Sequence, residues 1–186
     1  MMNLTGAWKK IIITTKRTKI GEPAIYSMNN GGYIANTLPS KQIVRGFKMY
    51  AESKKYITEL GLNKPASLNT IEEVQKSLGI KFPSDYVDFM LFTNGCEGSI
   101  GESYIVMWPI EEIAPNNEDF QVEEYVPGLI LFGSNGSGEA FGFDMRAEKP
   151  SYIMVPFLLE FEAVIRQGST INDFFERLFT DNLFEE

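Results

Sequence analysis

The chain of 186 residues contains no histidine and a single cysteine, Cys96. Histidine is the side chain whose ordinary pKa lies near neutrality and the commonest acid–base catalyst, so Ser–His–Asp and Cys–His sites are excluded outright. A zinc site is all but excluded with them, because the remaining carboxylates suit harder cations. One thiol forms no internal disulfide, which fits a reducing compartment. Long apolar runs are also missing. No stretch of roughly 18 apolar residues occurs, and Met1 to Lys19 lacks the basic start, apolar middle and small-residue cleavage site of a signal peptide. A cytoplasmic protein without a membrane span is expected. Any chemistry would have to rest on carboxylate pairs, lysine, tyrosine or a bound cofactor.

Positive charge is absent where negative charge is dense. The first fifty residues carry eight Lys or Arg against one Glu, whereas Phe82 to Met145 carry twelve Asp or Glu and no Lys or Arg. The frequency of the whole chain would put roughly six cations in that stretch. Two readings compete: a solvated face that keeps the protein soluble, or a docking surface for a basic partner. Nucleic acid is disfavoured as partner, since phosphate binding needs clustered Lys and Arg. The candidate partner-binding residues are Glu111, Glu112, Glu118, Asp119, Glu123 and Glu124. None of them falls into the Asp-x-Asp-x-Asp-Gly spacing of a calcium loop, and no catalytic, cofactor or metal residue is assigned.

Along the chain, Met1 to Ser40 reads as a basic extension, partly β or mobile. Its signals are the β-prone Trp8 to Thr15, the turn signal Asn29 to Gly32 and the stop at Pro39-Ser40. Residues 41–186 read as one domain. Lys41 to Leu60 has helical spacing ending at Gly61. Thr70-Ile71-Glu72-Glu73 reads as a capping box for a second helix closed by Gly79. Pro83-Ser84 opens a third helix, with Asn94-Gly95 as its end. Strands are predicted over Tyr104 to Trp108, Leu129 to Phe132, Ala140 to Phe143 and Ser151 to Phe157, the middle two as a hairpin. Phe161 to Arg166 fits either a strand or a short helix. A last helix starts at Ser169-Thr170 with Ile171, Phe174, Phe175 and Leu178 as its apolar stripe. The fold class is α+β, a central mostly antiparallel sheet flanked by helices in a single domain.

Two segments imitate functional motifs. Gly133 to Glu139 (GSNGSGE) resembles a phosphate loop, but a phosphate cradle opens a helix and usually carries a lysine. Here a strand follows and no lysine is present, so the glycines are read as hairpin-loop residues with positive φ. Cys96, next to Glu97 and without a histidine, is read as an unactivated loop or half-buried thiol.

Taken in order, Ile71 to Gly79 (IEEVQKSLG), Phe82 to Tyr86 (FPSDY), Phe89 to Gly95 (FMLFTNG), Pro109 to Ile113, Pro127 to Leu129, Phe132-Gly133 through Gly138-Glu139 to Phe143-Asp144, and Ile171 to Phe175 resemble the SUKH superfamily. That group is related to a fungal regulator of cell-wall glucan synthesis. The resemblance is strongest over 68–178, and its most specific parts are the Gly-x-x-x-Pro-x-x-Tyr step and the Phe-Gly to Phe-Asp hairpin. It implies an α+β fold without catalytic residues to transfer. Bacterial members are regarded as immunity proteins that bind a cognate toxin, often a nuclease or deaminase, and others act as scaffolds in wall-synthesis signalling. The expected function is therefore non-enzymatic: stoichiometric neutralisation of a basic toxin. The alternatives are a regulatory scaffold and a carboxylate-based hydrolase.

Overall fold

Alternation at period two decides which way each strand of this protein faces, and the sheet it builds is the frame for everything else. The computed structural model describes residues 52–184 in full and the backbone of residues 25–29 and 32–36. The chain falls into two compact units, 1–47 and 48–186. In the first, strands β1 (Ile25–Asn29) and β2 (Gly32–Asn36) pair antiparallel from Ile25↔Asn36 to Asn29↔Gly32, the reversal that Asn29 to Gly32 predict. The β-prone Trp8 to Thr15 and the start of the helix predicted at Lys41 lie outside the described residues.

The second unit runs through α1 (52–57), β3 (Gly61–Leu62), α2 (Leu68–Leu78), α3 (Ser84–Phe92), β4 (Cys96–Ile100), β5 (Ser103–Met107), α4 (Ile110–Asp119) and α5 (Val122–Tyr125). It continues through β6 (Leu129–Ser134), β7 (Glu139–Asp144), β8 (Ser151–Pro156), a 3-10 turn at Phe161–Ala163, β9 (Ile165–Gly168) and α6 (Ile171–Phe179). The seven strands β3 to β9 form one sheet in which every pairing is antiparallel and the order across the sheet is the order along the chain. The fold is α+β, as expected. No helix among the described residues is long and apolar enough to cross a membrane.

On one face, Phe132, Phe141, Phe143, Tyr152 and Met154 meet Ile71 of α2, Tyr86, Phe89 and Met90 of α3, and Phe174, Phe175 and Leu178 of α6, all buried. The rings interlock: Phe132 and Phe143 lie 4.7 Å apart, Tyr86 and Phe143 5.0 Å, and Phe141 and Phe174 5.1 Å. Each such pair adds about 0.5–1.5 kcal/mol beyond its area burial. The alternate residues Leu129, Leu131, Ala140, Ile153 and Val155 point to the other face, where Val122, Val126 and Leu159 cover them.

Three helix ends differ from their predicted positions, the first being that of α1, which stops at residue 57 instead of running to Leu60. Helix α2 begins one turn earlier than the Thr70 capping box predicts, because the Ser67 hydroxyl accepts the Thr70 N–H at 3.1 Å and so caps the helix, while Glu73 accepts from Asn69 instead. Helix α3 ends at Thr93 in extended conformation, not at Asn94-Gly95. Phe161 to Arg166 holds both alternatives in succession, the 3-10 turn and then β9.

Candidate functional site

Helix α4 carries the first four of the six candidate acids, and one asparagine starts it. Pro109 at the N-cap has no side-chain acceptor to offer, so Asn94 supplies one: its Oδ1 accepts the Ile110 N–H at 2.8 Å and its Nδ2 donates to Glu111 Oε2 at 2.7 Å. Ile110, Ile113 and Asn117 then form the buried side of the helix, leaving Glu111, Glu112, Glu118 and Asp119 exposed. Asn117 fixes the far end. Its Nδ2 donates to Leu131 O at 2.7 Å and to Ile113 O at 2.8 Å, and its Oδ1 accepts the Leu131 N–H at 2.8 Å. An amide thus pairs with β6 as a neighbouring strand would, beside the register shift between Leu131 and Gly133.

Glu118 and Asp119 occupy the last turn of α4, where backbone carbonyls already gather negative charge and no basic residue offsets it. Gln121, at φ 54°, turns the chain into α5, which exposes Glu123 and Glu124. Glu123 accepts from the Gly128 N–H at 3.3 Å and Glu124 from Gln121 Nε2 at 3.4 Å. The six acids therefore line the solvent side of two successive helices instead of converging on one point. Their recorded partners are neutral groups. Arg146, the first cation after the acidic stretch, is committed elsewhere: it bridges Asp144 at 2.7 Å, holding that carboxyl below its ordinary range, and lies over the Phe161 ring.

Of the six, Glu112 also lines a groove. The second face of the sheet is covered over β6 to β8, whereas over β3 to β5 the described residues leave a groove of about 520 Å³ lined by Leu62, Glu97, Tyr104, Val106, Trp108 and Glu112, among others. The alternation that buries Cys96, Ile105 and Met107 in the first face puts Glu97, Tyr104 and Val106 on this one. The Tyr104 hydroxyl donates to Glu97 Oε1 at 2.7 Å, which keeps its proton on and raises its pKa. Trp108 stacks on Phe120 at 6.2 Å with ring planes 16° apart, and Phe120 sits 4.8 Å from Phe157. Leu158, next to Phe157, is 82% exposed. Sequence reading put Tyr104 to Trp108 on a strand and gave Glu97, Tyr104 and Phe120 no part in a site. The usable signal was the Glu97-x-Ser99 and Tyr104-x-Val106 alternation flanking a short turn.

Cys96 corrects the loop reading: it lies on β4, 2% exposed, and burial pushes its thiol up to about 12. The glycine-rich segment is a hairpin loop, as read, and its own side chains take up several of its amide groups. Asn135 Oδ1 accepts the N–H groups of Ser137 at 2.8 Å and Glu139 at 3.1 Å. Gly136 and Gly138 have positive φ, but Gly133 belongs to β6, where a Cβ would collide with Val106 O of β5. Among the described residues no group of three or more His, Cys, Asp or Glu side chains is placed to hold a metal ion.

Comparison with known proteins gives a relative in Bacillus subtilis (strain 168), the uncharacterized protein YnaB, 35% identical over 74 residues. The alignment takes in 40% of this chain and 47% of that protein, so the chain spans about half the length of the curated relative it matches. The family model for SMI1/KNR4 (SUKH-1) matches residues 65–177, from just before α2 to the last turn of α6. These residues build six of the seven strands, β4 to β9, with helices α2 to α5 and most of α6, and with more than half of its length matched the chain belongs to the SMI1/KNR4 family (SUKH-1).

Proposed function

We propose that this protein works by binding another protein, as an immunity protein that neutralises a basic toxin in a stoichiometric complex. The observation that carries the reading is the run of twelve acids without a lysine or arginine between Phe82 and Met145, six of them exposed along α4 and α5. A field of one sign speeds the encounter with a partner of the other sign, and a nuclease or deaminase that handles nucleic acid presents such a basic surface. Family membership supports it, since bacterial proteins of the resembled group are regarded as immunity proteins. Cys96, buried in the first face with its thiol pushed up to about 12, speaks against nucleophilic chemistry by the thiol.

The test starts with the full chain as bait in its native cell. Each captured basic protein is then expressed alone and together with the chain. Growth arrest by the captured protein, relieved by the chain in a one-to-one complex, is the expected result. A toxin left active in the complex, or a chain that turns over a substrate, overturns the reading. Capture of wall-synthesis enzymes that stay active when bound would favour a scaffold instead.

A further inference from the structure

Among the described residues the second face of the sheet is uncovered over β3 to β5, and that part is not simply polar. Leu62, Val106 and Trp108 give the groove over β3 to β5 hydrocarbon and aromatic walls. Glu97 and Glu112 bring two carboxylates to the same lining, and among the described residues no lysine or arginine lines it. Apolar walls with uncompensated carboxylates repel phosphate and lack the ligand number of a cation site. What they complement is a cation that also has apolar body.

We infer that this groove receives an arginine-bearing segment of the basic protein partner, its guanidinium meeting Glu97 and Glu112 and its methylene stem lying along Trp108 and Val106. This rests on the protein-binding reading above and names where the contact is made. Arginine fits better than lysine because its planar head stacks on an aromatic face and offers paired N–H groups to a carboxylate. The wall is built to hold still: Trp108 stacks on Phe120, Phe120 packs on Phe157, and the Tyr104 hydroxyl fixes Glu97. Glu112 rides on a helix anchored at both ends by Asn94 and Asn117. A pre-set site of this kind loses little conformational freedom on binding.

The probe is the blocked tetrapeptide acetyl-Leu-Arg-Leu-Arg-amide, titrated into the ¹⁵N-labelled full chain beside a peptide with citrulline, the neutral analogue, in place of arginine. Saturable shifts confined to Leu62, Glu97, Tyr104, Trp108 and Glu112 are expected, with the citrulline peptide weaker by about tenfold. Glu97→Gln with Glu112→Gln should weaken the arginine peptide about tenfold and erase the difference between peptides. Glu72→Gln with Glu148→Gln, two exposed acids outside the acidic stretch, should leave both as in the wild type. Equal binding of the two peptides, shifts centred on α5, or no saturation overturns the inference, as does self-association abolished by the first pair, which would make a second copy the occupant. A growth-rescue arm separates this from the function itself. If the wild type protects against the captured toxin and the Glu97/Glu112 variant protects equally, the groove is wrong and the function stands; if the wild type never protects, the function fails whatever the peptides do.

Discussion

Asp85, in the first turn of α3, accepts the backbone N–H of Ile171 at 2.6 Å, so one helix supplies a cap to another 86 positions away. Its other oxygen accepts the Tyr86 N–H at 3.0 Å. The N-terminus of α6 thus has two independent caps, this one and the Thr170–Asp173 capping box. Removing one acceptor strands a half-buried donor and loosens the joint between α3 and α6. Asp85→Ala should cost about 1–3 kcal/mol in urea unfolding. Asp85→Asn, which keeps an acceptor oxygen, should cost less. Equal losses for the two would show that the oxygen is not what matters.

Asn117 predicts a different signature. Asn117→Ala leaves both the N–H and the carbonyl of Leu131 without their partner in a buried place, a loss of about 2–4 kcal/mol. Because α4 is tied to β6 through this amide, hydrogen exchange should speed up at Leu131 and along Ile113 to Phe120 before it changes in α6. Uniform acceleration across the domain would contradict a local anchor.

Cys96 ties stability to alkaline pH. Its pKa is raised in the folded protein, so the thiol form is favoured by folding; that contribution is complete below the ordinary thiol pKa near 9.0 and fades as pH rises towards about 12. Stability should fall through that window by up to about 1.4 kcal/mol per pH unit from this group. Burial also raises Tyr86 and Tyr152, which act in the same direction. At pH 8 the native thiol should react with a disulfide reagent at least about a hundredfold more slowly than in denaturant. Cys96→Ser should lower the folding midpoint and leave toxin protection intact; lost protection at an unchanged midpoint would point to chemistry at the thiol.

The acids of α4 and α5 act, on the proposed reading, at the encounter. The Debye length shrinks from about 10 Å at 0.1 M salt to about 3 Å at 1 M, so association with the basic partner should slow steeply while dissociation changes less. Neutralising Glu118, Asp119, Glu123 and Glu124 together should mimic high salt in stopped-flow mixing. An on-rate indifferent to salt would reduce the acidic run to a solubility feature.

Long apolar stripes were legible and short acidic ones were not. Ile171, Phe174, Phe175 and Leu178 announce α6 at helical spacing, and all four are buried. Leu129 to Phe132 and Ala140 to Phe143 announce β6 and β7 because both their faces are covered, which leaves continuous apolar runs. Helix α4 hid itself: Pro115, Asn116 and Asn117 look like loop residues, and only Ile110 and Ile113 mark the buried side. Strand β4 hid too, since CEGSI holds one β-branched residue and a glycine. The Tyr104–Glu97 bond and the Trp108–Phe120–Phe157 stack are tertiary facts, made by register and by the end of a helix that the sequence pattern does not announce.

Strand order that copies chain order has a consequence for how this molecule is made. Each strand from β4 onward pairs with the one synthesised just before it, so the sheet can grow in the direction of translation with modest loop-closure entropy at each step. What must wait is Phe174, which closes on Phe132, Phe141 and Tyr152 from the last helix. A nascent chain that has emerged only as far as Gly168 would therefore hold a paired sheet whose aromatic face, under α2 and α3, still lacks Phe174 and Phe175, and completion of α6 is the step that seals it.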